Sequence, residues 1–162
     1  MDLKEYCTSL KKDRLLELAT KLCHKAYPIW EEYCKTGSLS YRETAVGMLY
    51  TVEENLLADT LNLFDHLQID SNSFKSQQDA LLEKFIEPIT AIQDGDWILP
   101  YPVEKVFYAI YNLLNGLKRP KNEFGELTHY LSVNQAVDAI YKAALMGVDE
   151  IKKLIYGDSI TK

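Results

Sequence analysis

The chain has 162 residues, 47% of them apolar and 26% charged, with only 7 Gly and 5 Pro. That composition excludes disorder, collagen-like repeats and a disulfide scaffold, and the length favours one domain that buries most of the surface of its unfolded chain. A formal charge of −6 excludes the basic footprint of a general nucleic-acid binder. No apolar run approaches the roughly 18–20 residues of a membrane helix. The start, Met1-Asp2-Leu3-Lys4-Glu5, lacks the apolar stretch of a signal peptide. Cys7, Cys23 and Cys34 fit reduced thiols, so the expected location is the cytoplasm, with no membrane partner.

The periodicity is helical almost throughout. Leu15, Leu18, Ala19, Leu22, Cys23 and Ala26 recur at three- and four-residue steps, as one buried helix face requires. Pro28 is expected to bend or interrupt this helix, which stops by Gly37. Ser40-Tyr41-Arg42-Glu43 has the pattern of a capping box. Ala45, Leu49, Val52, Leu56, Leu63 and Leu67 continue an apolar stripe for about seven turns. A central helix over 40–69 is therefore the strongest expectation in the chain. A polar loop at Asp70 to Ser73 leads to a helix over 74–86, with Pro88 marking its end or a kink.

Asp94-Gly95-Asp96 signals a turn, and Pro102 suits the first turn of the next helix. Val103, Phe107, Ile110, Leu114 and Leu117 form that helix's apolar stripe, ended between Gly116 and Pro120. Asn122 can cap a further helix. Ser132 to Gln135 could form a second capping box, leaving the region to Met146 as one helix or two. Gly147 breaks it before a short helix from Asp149 to Tyr156. With no convincing strand alternation, the expected fold is all-α, a single compact bundle of about six helices over 1–162.

Catalytic signals are thin. Glu126 and His129 have the Glu-x-x-His spacing of di-iron bundles, but no second copy exists to complete a metal site. Cys23 and His24 are neighbours and point about 100° apart on a helix, and Cys23 falls on the apolar stripe, so it reads as core. Nucleophile elbows, phosphate loops and dinucleotide fingerprints are absent. Glu53 would lie inside the apolar arc of the 40–69 helix, where a carboxylate needs a partner or a proton. No cofactor or metal is expected.

Charge placement says more than its total. Between Arg42 and Lys75 no Lys or Arg occurs, whereas Glu43, Glu53, Glu54, Asp59, Asp65 and Asp70 all do. Between Lys84 and Lys105 stand Glu87, Asp94, Asp96 and Glu104, again without a cation. Such stretches form either an ordinary solvated face or a surface that steers a basic partner. Asn55, Asp59, Asn62 and His66 share one side of a helix, and Glu104, Tyr108, Tyr111 and Asn115 share a flank of another. Trp97 is either an interface anchor or the plug that docks its loop onto the bundle.

The run Leu18 to Pro28, an aliphatic helix ending in Tyr27-Pro28, resembles the first helix of a group of small bacterial all-helical proteins. The Tyr101-Pro102 start, the Val106 to Tyr111 helix and the Ser132 to Ala144 helix follow in a similar order. That group includes immunity proteins encoded beside polymorphic or contact-dependent toxins. The resemblance implies a non-enzymatic cytoplasmic protein that neutralises a cognate toxin with a basic surface, a nuclease being the expected class. The residues expected to bind it are Glu54, Asp59, Asn62, Asp65, His66, Asp94, Asp96, Trp97, Glu104, Tyr108 and Tyr111. Two other classes compete: a metal- or small-molecule-dependent helical enzyme using Glu53 or Glu126 with a histidine, and a helical adaptor or homodimer.

Overall fold

The computed structural model describes residues 2–157; Met1 and residues 158–162, which the single-domain expectation also spans, lie outside the described residues. Among the described residues seven helices carry the fold, with a short hairpin between the second and third: α1 (Leu3–Ser9), α2 (Lys12–Thr36), β1 (Ser40–Arg42), β2 (Leu49–Thr51), α3 (Leu56–His66), α4 (Asn72–Asp94), α5 (Tyr101–Asn115), α6 (Thr128–Lys142) and α7 (Val148–Tyr156). The all-helical expectation holds in class, since only β1 and β2 form a sheet among the described residues.

Helices α2, α5 and α6 pack against one another at the centre. Their facing positions are small and buried: Ala19, Cys23 and Ala26 on α2, Ala109 on α5, and Ser132, Ala136 and Ala139 on α6. Small side chains let three backbones approach, and larger residues such as Leu22, Phe107 and Ile140 fill the space to either side. The Ser132 hydroxyl donates to the Ala109 carbonyl at 2.7 Å and lies 3.4 Å from Cys23 Sγ, so the buried polar group is satisfied. Cys23 is core, as its stripe implied, and burial pushes its thiol up to about 12. Asn112 on α5 donates to Gln135 on α6 at 2.8 Å, tying the same pair of helices.

The central 40–69 helix does not exist. Residues 40–51 form an antiparallel hairpin with Tyr41 opposite Tyr50, and only Leu56–His66 is helical. Gly47 stands at φ 69°, a left-handed conformation that ends any helix through it. Ser40 is no N-cap: its hydroxyl pairs with that of Thr51 across the ladder at 2.8 Å. Ala45, Leu49 and Val52 match a helical step by coincidence, while Tyr41, Tyr50 and Thr51 in the strands are the aromatic and β-branched residues that a pleated strand favours. Glu53 consequently sits ahead of α3, half exposed, and pairs with Lys84 at 2.8 Å instead of entering the core.

Both internal prolines are absorbed. Pro28 lies inside the continuous α2 and is exposed, so the carbonyl that its missing N–H leaves unbonded faces water. Pro88 lies inside α4, which runs on to Asp94 and ends at Gly95 with φ 81°. Asn122 caps a turn and no helix, its Oδ1 accepting from the Phe124 and Glu126 amides, both at 2.9 Å. The region after it is one helix, and Ser132 lies in its interior with no capping role. The unexpected α1 is capped by Asp2, which accepts from the Glu5 amide at 2.7 Å.

Candidate partner-binding surface

The entry into α3 is fixed by a local turn and by a bond from α2. The Leu56 amide donates to the Glu53 carbonyl at 3.1 Å, and Trp30 Nε1 of α2 donates to the Glu54 carbonyl at 3.2 Å. Leu56, Leu57, Thr60, Leu61 and Leu63 are buried, the spacing of one inward face. Thr60 satisfies its hydroxyl by donating to the Leu56 carbonyl at 2.9 Å. The positions left over, Asp59, Asn62, Asp65 and His66, face outward or lie at the edge, so α3 is a polar ridge.

A groove flanks the ridge on each side. Toward α2, about 370 Å³ is lined by Tyr27, Glu31 and Cys34 and by Glu54, Asn55 and Ala58. Toward α4, about 450 Å³ is lined by Asp59, Asn62, Leu63, His66 and Leu67 and by Gln77, Ala80 and Leu81. His24 Nε2 meets Asp65 Oδ1 at 3.0 Å, which joins α2 to the ridge.

The α2 groove is electronegative. Burial raises the Tyr27 hydroxyl pKa first, and Glu31, Cys34, Glu54 and Asp59 raise it further, so three carboxylates act on one phenol. The Cys34 thiol is pushed up to about 11, by burial first and then by Glu54 and Glu31. That thiol is therefore protonated at neutral pH and has no nucleophilic character. Among the described residues Glu31, Glu54 and Asp59 make no ion pair. Uncompensated like charges disfavour the compact state, and they attract a cationic surface over a distance of about a Debye length.

The eleven expected residues fall in three places. Glu54, Asp59, Asn62, Asp65 and His66 come together on the ridge. Asp94, Asp96 and Trp97 lie at the C-terminal end of α4, where Asp96 accepts from the Thr44 hydroxyl of the hairpin loop. Glu104, Tyr108 and Tyr111 are half-buried on α5, with Tyr108 hydrogen-bonded to Gln93 and the Tyr111 ring 5.4 Å from that of Phe85. Trp97 is the plug and no exposed anchor: it is 3% exposed, and Nε1 donates to the Ser38 carbonyl at 3.1 Å. Sequence reasoning missed Tyr27 and Glu31. Their signal was the α2 stripe His24, Tyr27, Glu31 and Cys34, at successive one-turn steps.

The residues of the rival enzyme reading point elsewhere. Glu126 pairs with Lys4 at 3.5 Å, and Glu53 with Lys84. Among the described residues no three His, Cys, Asp or Glu side chains are grouped to hold a metal ion. His129 Nε2 lies 3.0 Å from the Leu113 carbonyl, which accepts, so that nitrogen carries the proton. Gly116 makes room for the ring, since a Cβ there would collide with it.

Burial lowers the His129 pKa, against a smaller opposing effect of the Leu113 carbonyl. The folded state then binds fewer protons than the unfolded state, so the contribution of His129 is fully present above the unfolded pKa of about 6.5. It is lost as pH falls from there through the lower folded pKa. His129→Gln should flatten that part of a stability-against-pH curve measured by urea unfolding; an unchanged slope would remove His129 as its cause.

No protein-family model, curated protein or solved structure matches the chain. No helix among the described residues is long and apolar enough to cross a membrane.

Proposed function

We propose that this protein is a non-enzymatic immunity protein, which binds and neutralises a toxin domain by presenting the α3 ridge to a basic surface, that of a nuclease in the simplest case. The observation that carries the reading is the action of Glu31, Glu54 and Asp59 on the one Tyr27 phenol beside the α2 groove, without a cation paired to any of them among the described residues. A folded chain gains nothing from such a cluster by itself, whereas a basic partner supplies the missing counter-charge on binding. Asn55, Asn62 and His66 add polar side chains along the ridge, as the polar part of an interface does. The choice of a toxin as partner rests on the resemblance of the sequence runs Leu18 to Pro28, Val106 to Tyr111 and Ser132 to Ala144 to bacterial immunity proteins.

Co-expression with the product of the neighbouring upstream gene tests the reading. Growth rescue together with co-purification is the expected result. A toxic neighbour that this chain neither rescues nor binds overturns the assignment.

A further inference from the structure

One edge of the hairpin is partly covered and the other is open. The Val52 amide donates to the Leu39 carbonyl at 2.8 Å and the Glu43 amide to the Met48 carbonyl at 2.9 Å. Bonded positions alternate along an antiparallel ladder, so the main-chain groups of Leu49 and Thr51 point away from β1. Among the described residues those groups bond to no other element. On β1 the matching position is capped: Ser38 Oγ accepts from the Ser40 amide at 3.2 Å and donates to its carbonyl at 3.0 Å.

A cleft of about 470 Å³ runs beside the open edge. Tyr50, Thr51, Val52 and Glu53, four consecutive residues, line one wall, and Glu83, Ile86 and Glu87 of α4 line the other. Lys84 is engaged by Glu53, while Glu83 and Glu87 make no ion pair among the described residues. The charge of Glu87 reaches the phenols: after burial, it is the largest influence raising the pKa of both Tyr41 and Tyr50. Ile86 and Leu49 are each 60% exposed, on either side of the edge. Neither a lysine nor a proline on β2 guards it, which are the usual protections of an edge strand.

We propose that the β2 edge is a site for β-strand addition, where an extended peptide segment of a partner, carrying Lys or Arg at alternate positions, bonds the main chain of Leu49 and Thr51 and sends its cations into the cleft against Glu83 and Glu87. Alternation follows from the two-residue period of a strand, which turns every second side chain toward α4. A long cationic side chain fits that direction best. Its aliphatic stem covers Ile86 and the Tyr50 ring, and its head reaches the unpaired carboxylates. An acidic segment would meet like charge in the same place. This site does not rest on the α3 reading, and the two report through different residues.

The test uses the full chain labelled with nitrogen-15 and a capped peptide of about seven residues alternating Lys and Val. Expected are Leu49 and Thr51 amide signals that move most and exchange with solvent about tenfold more slowly at saturation. The same peptide, N-methylated on the amides that face β2, keeps its charge and loses the ladder bonds, so its binding should fall at least about tenfold. Glu83→Gln with Glu87→Gln should weaken the unmodified peptide about three- to tenfold, with the hairpin signals otherwise unmoved. Equal binding by the N-methylated peptide, shifts centred on Asp59 and His66, or no response of Leu49 and Thr51 at several millimolar peptide each overturns the proposal.

Discussion

Trp97→Ala should lower the unfolding free energy by about 3–5 kcal/mol, the range for removing a large aromatic from a packed core. The ring is held on every side. It stacks on Tyr41 at 5.7 Å and meets Trp30 and Phe107 edge-on at 6.4 Å and 5.4 Å. The turn that delivers it is equally fixed, since Gly95 adopts φ 81° and the Asp96 and Trp97 amides both donate to the Ala91 carbonyl. Alanine leaves a cavity among these rings and removes one of the two donors to the Ser38 carbonyl, the Tyr33 hydroxyl remaining as the other. It also frees the hairpin, because Tyr41 loses the ring it lies on. Trp97→Phe keeps much of the apolar contact and should cost less, with about 1–2 kcal/mol from the lost hydrogen bond. Urea unfolding of both variants gives the values, and near-ultraviolet dichroism reports on the surviving rings. A cost below about 1 kcal/mol for Trp97→Ala would return this residue to the surface and to the list of partner anchors.

The same cluster explains what could be read in advance and what could not. Val103, Phe107, Ile110 and Leu114 repeat at helical steps and are all buried on α5, so that helix was legible from spacing alone. The hairpin was not, because two three-residue strands are too short to establish alternation against a background of helical steps. Gly47 between Val46 and Met48, with β-branched residues on both sides, was the one local sign. Pro28 and Pro88 each signal a bend, kink or end in the sequence, since a proline costs a helix one hydrogen bond. Tertiary packing along α2 and α4 outweighs that cost.

The ridge was half legible for a related reason. Asp59, Asn62 and His66 keep their mutual spacing wherever the helix begins, so the wrong start at Ser40 did not disturb their shared side. The groove across from Glu54 is tertiary: Tyr27 and Glu31 belong to α2, and no spacing along the chain announces that they face α3. Trp97 shows the limit from the other side. A tryptophan in an acidic loop suits an interface and a core equally, and only the ring partners decide between them.

Reversing Glu54 and Asp59 to Lys should slow association with a basic partner about tenfold or more at low salt, and only a few-fold near 0.5 M salt. The change moves the formal charge from −6 to −2, yet its effect depends on place more than on sum. Both carboxylates act on Tyr27, so they contribute to one local field, and two lysines there convert attraction at the groove into repulsion. Folding should be nearly untouched, within about 0.5 kcal/mol, because neither residue has an ion pair to lose and Glu54 is exposed. Reversing Glu123 and Asp149 instead makes the same change in net charge on exposed positions outside the ridge. Steering by the ridge requires the first pair to slow association several-fold more than the second, with dissociation little altered in both. Equal slowing by the two pairs would assign the effect to overall charge, and an unchanged rate in the first would remove α3 as the docking surface. Measuring association rates at two salt concentrations for both pairs separates these outcomes, because a local field and a global charge are screened over the same distance but act from different places.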